Sequence, residues 1–280
     1  MKSLVPPEIS AELSYRACIS DFDDSLLRGR LAQITDEVIE ASREFELAAM
    51  AGSFLAISEK VPKYEDYLVT KRQFANVYSV GMVRHPTGRA LYDKIKGTGK
   101  CPSCQIRTIS QLDHYMPKSA FPLLAVTPLN LVPTCSDCNF MKRAFKPQSA
   151  SQVLLHPYFD DISRETWLTA ELEEGDPPIF NYRADPPEAW PEELRARVIF
   201  QFEKLELAEL YAIEATAELQ EIRIYLSNLH GGHEDGQQAV RDHLQEVAHS
   251  RANVARNGWR AAAYTAMASS DWFCRTAYAS

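Results

Sequence analysis

Four cysteines, Cys101, Cys104, Cys135 and Cys138, stand as two C-x-x-C pairs with thirty residues between them. Four thiolates suit tetrahedral zinc, and four sulfur ligands leave no open position for a catalytic water, so the zinc expected here is structural. A redox-active C-x-x-C would sit beside a βαβ pattern, which this stretch lacks. The separation exceeds that of a simple zinc ribbon, so something is built between the pairs. The intervening stretch and its tail read LDHYMPKSAFPLLAVTPLNLVPTCSDCNFMK. Asp113 and His114 are chain neighbours in it, and Asn139 directly follows the last cysteine. A histidine with a pKa near 6.5 is suited to take a proton from water at neutral pH. On a strand, Asp113 points to the opposite face from His114 and can hold a metal rather than bond the imidazole. Zinc binding at Cys138 would fix where Asn139 points, and oxygen donors from Asp113 and Asn139, with waters, suit Mg2+ or Mn2+. Metal-assisted hydrolysis is the chemistry such a set performs.

The elements that must position these residues are short. Between Cys101 and Pro147, prolines at positions 102, 117, 122, 128, 133 and 147 exclude a long helix, which leaves turns, short strands and one brief helix. Small irregular modules of this kind need a staple. Upstream, ALYDKIK forms a short helix closed by Gly97 and Gly99. Residues 8–50 carry an apolar stripe at helical spacing, predicting one long helix or a broken pair, and YEDYLVTKRQFANVY is compatible with a second helix. Downstream, the proline-rich PPIFNYRADPPEAWP reads as a linker or extended arm. A helix is expected over 192–229, with Ile199, Phe202, Leu205, Leu210, Ile213, Leu219, Ile222 and Leu226 on its stripe, and a last one from Gln237 to Tyr278. The predicted divisions are a helical region at 1–84, the cysteine module at 85–165, a linker at 166–191 and a helical region at 192–280.

The chain has 280 residues, 45% of them hydrophobic and 24% charged, an ordinary globular composition. No run of about 18 apolar residues is present and the N-terminus lacks an apolar signal core, so a cytoplasmic protein without a membrane partner is expected. The net charge of −8 disfavours nucleic acid at first sight. Its distribution does not. From Lys71 to Lys146 there are twelve lysines and arginines against three aspartates, an excess of +9 that leaves −17 on the remainder. A basic middle in an acidic chain fits a phosphate-binding module, though a chance cluster of solvated charges would give the same count. Lys118, Lys142 and Arg143 are candidates to grip a phosphate, or plain surface charges. Cys18 and Cys274 read as inert buried thiols, and His156, in HPYFD, as a packed turn more readily than a ligand.

Taken in order, the Asp113–His114 pair, Asn130 in an N-L-V-P context, both cysteine pairs, Asn139 and the trailing Lys142 resemble the motif of HNH (ββα-metal) endonucleases in its H-N-N form. The likeness covers about 45 residues and implies a small zinc-stapled ββα-metal module, which with the helical flanks read from periodicity gives a mainly α chain of α+β class. It implies phosphodiester hydrolysis with His114 as general base and Asp113 and Asn139 on a catalytic Mg2+ or Mn2+. Asn130 would hold the loop bearing His114 by hydrogen bonds without touching the metal. DNA is favoured as substrate and RNA stays open, because the site reads phosphate and metal rather than the sugar. The whole chain is also similar to the HNH subunits of Septu-type antiphage systems, which implies a partner ATPase or sensor. The other reading is a catalytically silent zinc-stapled module that binds nucleic acid or protein. The oligomeric state stays open.

Overall fold

The computed structural model describes residues 1–276 and divides the chain into two units, Lys2–Asp160 and Asp161–Ser280, with Met1 grouped with the latter. It is mainly helical with two small antiparallel sheets, an α+β chain. No helix among the described residues is long and apolar enough to cross a membrane. Tyr278, the expected end of the last helix, lies outside the described residues.

In the Lys2–Asp160 unit, residues 8–50 form three helices rather than one or two: α1 (Ala11–Ser20), α2 (Ser25–Ala32) and α3 (Thr35–Met50). Capping accounts for the first breaks. The Ser10 side chain accepts from the Leu13 N–H and the Asp24 carboxylate from those of Leu26 and Leu27, and such local acceptors start helices where a periodic stripe would run through. Helix α4 (Lys71–Asn76) starts only at a Thr70–Gln73 capping box, so residues 61–70 stay irregular. It runs into a π-helical turn (Val77–Met82) and then into α5 (Pro86–Lys96), which has Pro86 in its first turn and Gly97 past its end at φ 57°.

That π-turn is packed backbone to backbone. A methyl group on Gly88 would lie 2.1 Å from the Gly81 carbonyl oxygen, and one on Gly81 would lie 2.1 Å from that of Cys18. Neither carbonyl is a flexible side-chain tip, so only a backbone shift relieves the clash. Gly88→Ala is expected to destabilise the protein by about 3 kcal/mol, the upper end for overpacking, measurable by denaturant titration.

The centre of the unit is a strand–strand–helix unit: β1 (Gln111–His114), β2 (Leu131–Thr134) and α6 (Ser136–Lys142). The strands pair antiparallel in the register Gln111↔Thr134, Leu112↔Pro133, Asp113↔Val132 and His114↔Leu131. Two strands alone are marginal in water, so the hairpin depends on what packs on it. Tyr92 of α5 accepts the Leu112 N–H on its hydroxyl at 3.1 Å, and the Tyr115 hydroxyl donates to the Leu154 carbonyl oxygen. His156 is fully buried among Phe45, Phe54, Tyr115 and Phe159. Its Nδ1 accepts from the Tyr158 N–H and its Nε2 donates to the Leu129 carbonyl oxygen, so it completes the core as a packed turn.

In the second unit, the expected linker at 166–191 contains instead a hairpin, β3 (Leu168–Glu173) against β4 (Ile179–Ala184). Burial alternates along β4, with Phe180 and Tyr182 inside and Asn181 and Arg183 outside. The flanking prolines masked that alternation in the sequence. Tyr182 donates to the Trp259 carbonyl oxygen at 2.9 Å and meets the Tyr211 ring edge-on, so the hairpin is anchored as core. The predicted 192–229 helix breaks at Glu206, at φ 50°, into α7 (Glu192–Lys204) and α8 (Leu207–Gly231), and Ile199 and Ile213 of its stripe are exposed. The last helix is three: α9 (Gly236–Val254), α10 (Trp259–Ser269) and α11 (Asp271–Thr276). Asn257 interrupts it because its side chain is used elsewhere. It accepts the N–H groups of Trp167 and Leu168 and donates to the carbonyl oxygens of Ile162 and Glu165.

Candidate active site beside a four-cysteine cluster

Cys101 and Cys104 come from a turn after α5, Cys135 caps the start of α6, and Cys138 lies in its first turn. All four are buried, and their Sγ atoms lie within 4.8 Å of one another. Four sulfurs at 2.3 Å from one tetrahedral zinc would stand about 3.8 Å apart. The Cys104–Cys135 separation is 4.0 Å, far beyond a disulfide bond, and none of the four cysteines is in a disulfide. The turn is shaped for the purpose: Gln105, at φ 60°, donates its N–H to the Cys101 carbonyl oxygen, and the Cys138 N–H donates to Cys135 Sγ. The cluster could therefore hold a zinc ion. Arg107 and Asp137, 2.9 Å apart, tie the turn to α6.

β1 delivers Asp113 and His114. His114 is 8% exposed, and its Nε2 lies 2.8 Å from the Ala125 carbonyl oxygen. A carbonyl only accepts, so Nε2 carries the proton and Nδ1 keeps the lone pair. Nδ1 has no hydrogen bond among the described residues. Burial, followed by the nearby Lys118 ammonium, pushes the His114 pKa down to about 3, so the ring is neutral at pH 7 and a weaker proton acceptor than a free imidazole. Tyr78, on the π-turn, meets the imidazole edge-on at 4.4 Å between centroids. The Lys118 ammonium sits 4.4 Å from the centre of the Tyr78 ring, which places an exposed cation beside His114.

Asn130 is fully buried just before β2. Its Oδ1 accepts the Met116 N–H at 2.7 Å, and its Nδ2 donates to the carbonyl oxygens of Met116 and Leu124, both at 3.1 Å. These bonds clamp both ends of the loop running from His114 to Ala125. Asn139 is half-buried on α6, three residues before Lys142 and so on the same side of the helix.

Lys142, read from the sequence as either a phosphate grip or a plain surface charge, is not at the surface. It is 7% exposed, its Nζ lies 2.9 Å from Asp113 Oδ2, and it donates to the His114 carbonyl oxygen at 2.6 Å. The sequence places it one helical turn beyond the cysteines, and α6 packed on the hairpin turns it inward. Burial raises the Asp113 pKa, against the Lys142 ammonium, which lowers it. Removing one member of a buried ion pair strands the other. Lys142→Met is thus expected to lose about 3 to 5 kcal/mol in denaturant titration, most of it recovered in Lys142→Met/Asp113→Leu.

Arg143 and Lys118 do remain at the surface. Tyr78 and the Ala125 carbonyl were not foreseen. A tyrosine in an apolar stretch carries no signal in the sequence, and a backbone acceptor carries none at all. Cys18 is buried, its thiol pushed up to about 12 by burial, and buried Cys274 is likewise raised; both fit inert packing.

The fold and cluster define a mainly helical α+β protein with a cysteine-framed strand–strand–helix unit. The chain is 28% identical over 196 residues to the protein Ea31 of Escherichia phage lambda, an alignment spanning 66% of each chain. No family model matches the chain, and no solved structure matches it.

Proposed function

We propose that this chain is a metal-dependent HNH-type endonuclease hydrolysing phosphodiester bonds of nucleic acid, DNA in preference to RNA. The observation that carries the reading is the geometry of His114: an imidazole tethered through Nε2, with an Nδ1 lone pair that no described residue occupies, on a strand whose neighbouring position is a carboxylate. In this reading Cys101, Cys104, Cys135 and Cys138 hold a structural zinc that fixes α6 against the hairpin. Asp113 and Asn139 supply hard oxygen donors suited to a catalytic Mg2+ or Mn2+, which when bound neutralises charge on the phosphate and leaving oxygen. His114 Nδ1 takes the proton from the attacking water. Asn130 holds the His114 loop so that the ring does not swing. Lys118 offers charge to the phosphate from beside the imidazole. Lys142 sets the Asp113 carboxylate and offsets its charge, so Asp113 would hold a divalent cation chiefly in company with a bound phosphate.

A second reading, a catalytically silent zinc-stapled binding module, draws on that same pair, because an internal ammonium already compensates Asp113. Incubating the zinc-loaded protein with plasmid and Mg2+ or Mn2+ separates the two: nicking or linearisation supports the nuclease, and intact plasmid under both metals favours the silent module. The resemblance to antiphage effectors extends the proposal to a cytoplasmic defence nuclease restrained by a partner ATPase or sensor. Co-purification with the product of the neighbouring gene tests that extension, and a plasmid assay repeated with that product present covers the restrained state.

A further inference from the structure

The outer side of α6 carries a pair of side chains that hydrolysis does not use. Phe140, directly after Asn139, is 66% exposed. The Arg143 guanidinium lies over its ring, 4.7 Å from the centroid. At about 100° per residue, Asn139, Arg143 and Phe140 follow one another around the helix, with Lys142 on the far side of Asn139. The platform therefore begins where the proposed site ends. Arg143 is exposed and has no acidic partner among the described residues. It also closes α6 at φ 52° and ψ −147°, a backbone region that glycine enters freely and a side chain enters only with strain. The chain thus keeps a large apolar ring in water and a cation where glycine is easier, side by side, within the stretch whose charge is +9.

An apolar face and an unpaired cation are both satisfied by a ligand that is aromatic and anionic at once. We propose that Phe140 and Arg143 form a stacking platform for an unstacked nucleobase next to the scissile phosphate, so that nucleic acid with an unpaired base at that step is cut in preference to, though not to the exclusion of, uninterrupted duplex. This rests on the nuclease reading. The ring takes the π-face of the base, and the guanidinium covers the ring's other side or reaches the adjoining phosphate. A paired and stacked base has no free face to offer, which makes the platform a reader of nucleic-acid structure rather than of sequence.

The test uses the full chain, zinc-loaded and without added Mg2+ or Mn2+, titrated into a short single-stranded DNA carrying 2-aminopurine, whose fluorescence is quenched on stacking. Wild type is expected to quench it, and Phe140→Ala to lose the quenching and weaken binding about 10-fold or more. Phe140→Trp should restore both, and the same sequence as a perfect duplex should bind wild type and Phe140→Ala alike. Arg143→Gly should weaken single-strand binding while raising the melting temperature, since relief of strain and loss of a ligand contact push those readouts apart. Equal affinity and quenching in wild type and Phe140→Ala would overturn the platform and leave the nuclease reading standing. A wild type that binds neither strand nor duplex, and leaves plasmid intact with Mg2+ and Mn2+, would overturn both.

Discussion

Replacing His114 with alanine is expected to slow Mg2+- or Mn2+-dependent plasmid cleavage by about 10²- to 10⁴-fold, the usual contribution of a positioned general base. The variant should keep its zinc, since His114 lies on β1 and the cysteines are untouched. It also leaves the Ala125 carbonyl oxygen without its donor, a loss of about 1 to 3 kcal/mol that a denaturation curve would register. His114→Asn separates the two effects, because an amide can still donate to that carbonyl but is no base at neutral pH. Cleavage lost in both variants, with stability recovered in the second, identifies the imidazole as the proton acceptor. Cleavage retained in His114→Ala would remove the mechanism proposed for this site.

Stripping the metal should have a larger effect on the fold. Structural zinc binds such sites with an apparent free energy of about 10 to 16 kcal/mol, comparable to or above the about 5 to 15 kcal/mol that holds a whole domain folded. The β1–β2 hairpin is only four residues a side, and four buried thiolates repel one another without a cation between them. A strong chelator, or Cys138→Ser, is therefore expected to abolish the cooperative melting of the Lys2–Asp160 unit. One zinc per chain by elemental analysis and recovery on adding zinc back would complete the case. A chelated protein that melts at its original temperature would show the cysteines to be ordinary core.

These experiments share a physical basis. The site is built from short elements that have little stability of their own and borrow it from what they pack on: α5 through Tyr92, the His156 cage, the Asn130 clamp and the cysteine cluster. In the proposed mechanism, a base held in that way would need little reorganisation when substrate arrives. It should also be sensitive to changes remote from the proposed chemistry, as expected for Gly88→Ala.

What the sequence by itself determined is local. Cysteine spacing brought four sulfurs together, proline spacing kept 101–147 to strands and one brief helix, and apolar periodicity made the rest mainly helical. These are near-neighbour constraints, legible one segment at a time. The tertiary structure alone decided which helices break, since Asn257 leaves its helix to bond residues about ninety positions away. It turned the prolines around 177–187 into the flanks of a hairpin buried on one face. It carried Lys142 inward to Asp113, set Tyr78 against His114, and fixed the imidazole's proton on Nε2 through the Ala125 carbonyl. Burial, pairing and protonation depend on what arrives from elsewhere in the chain, and no residue's own neighbours specify that.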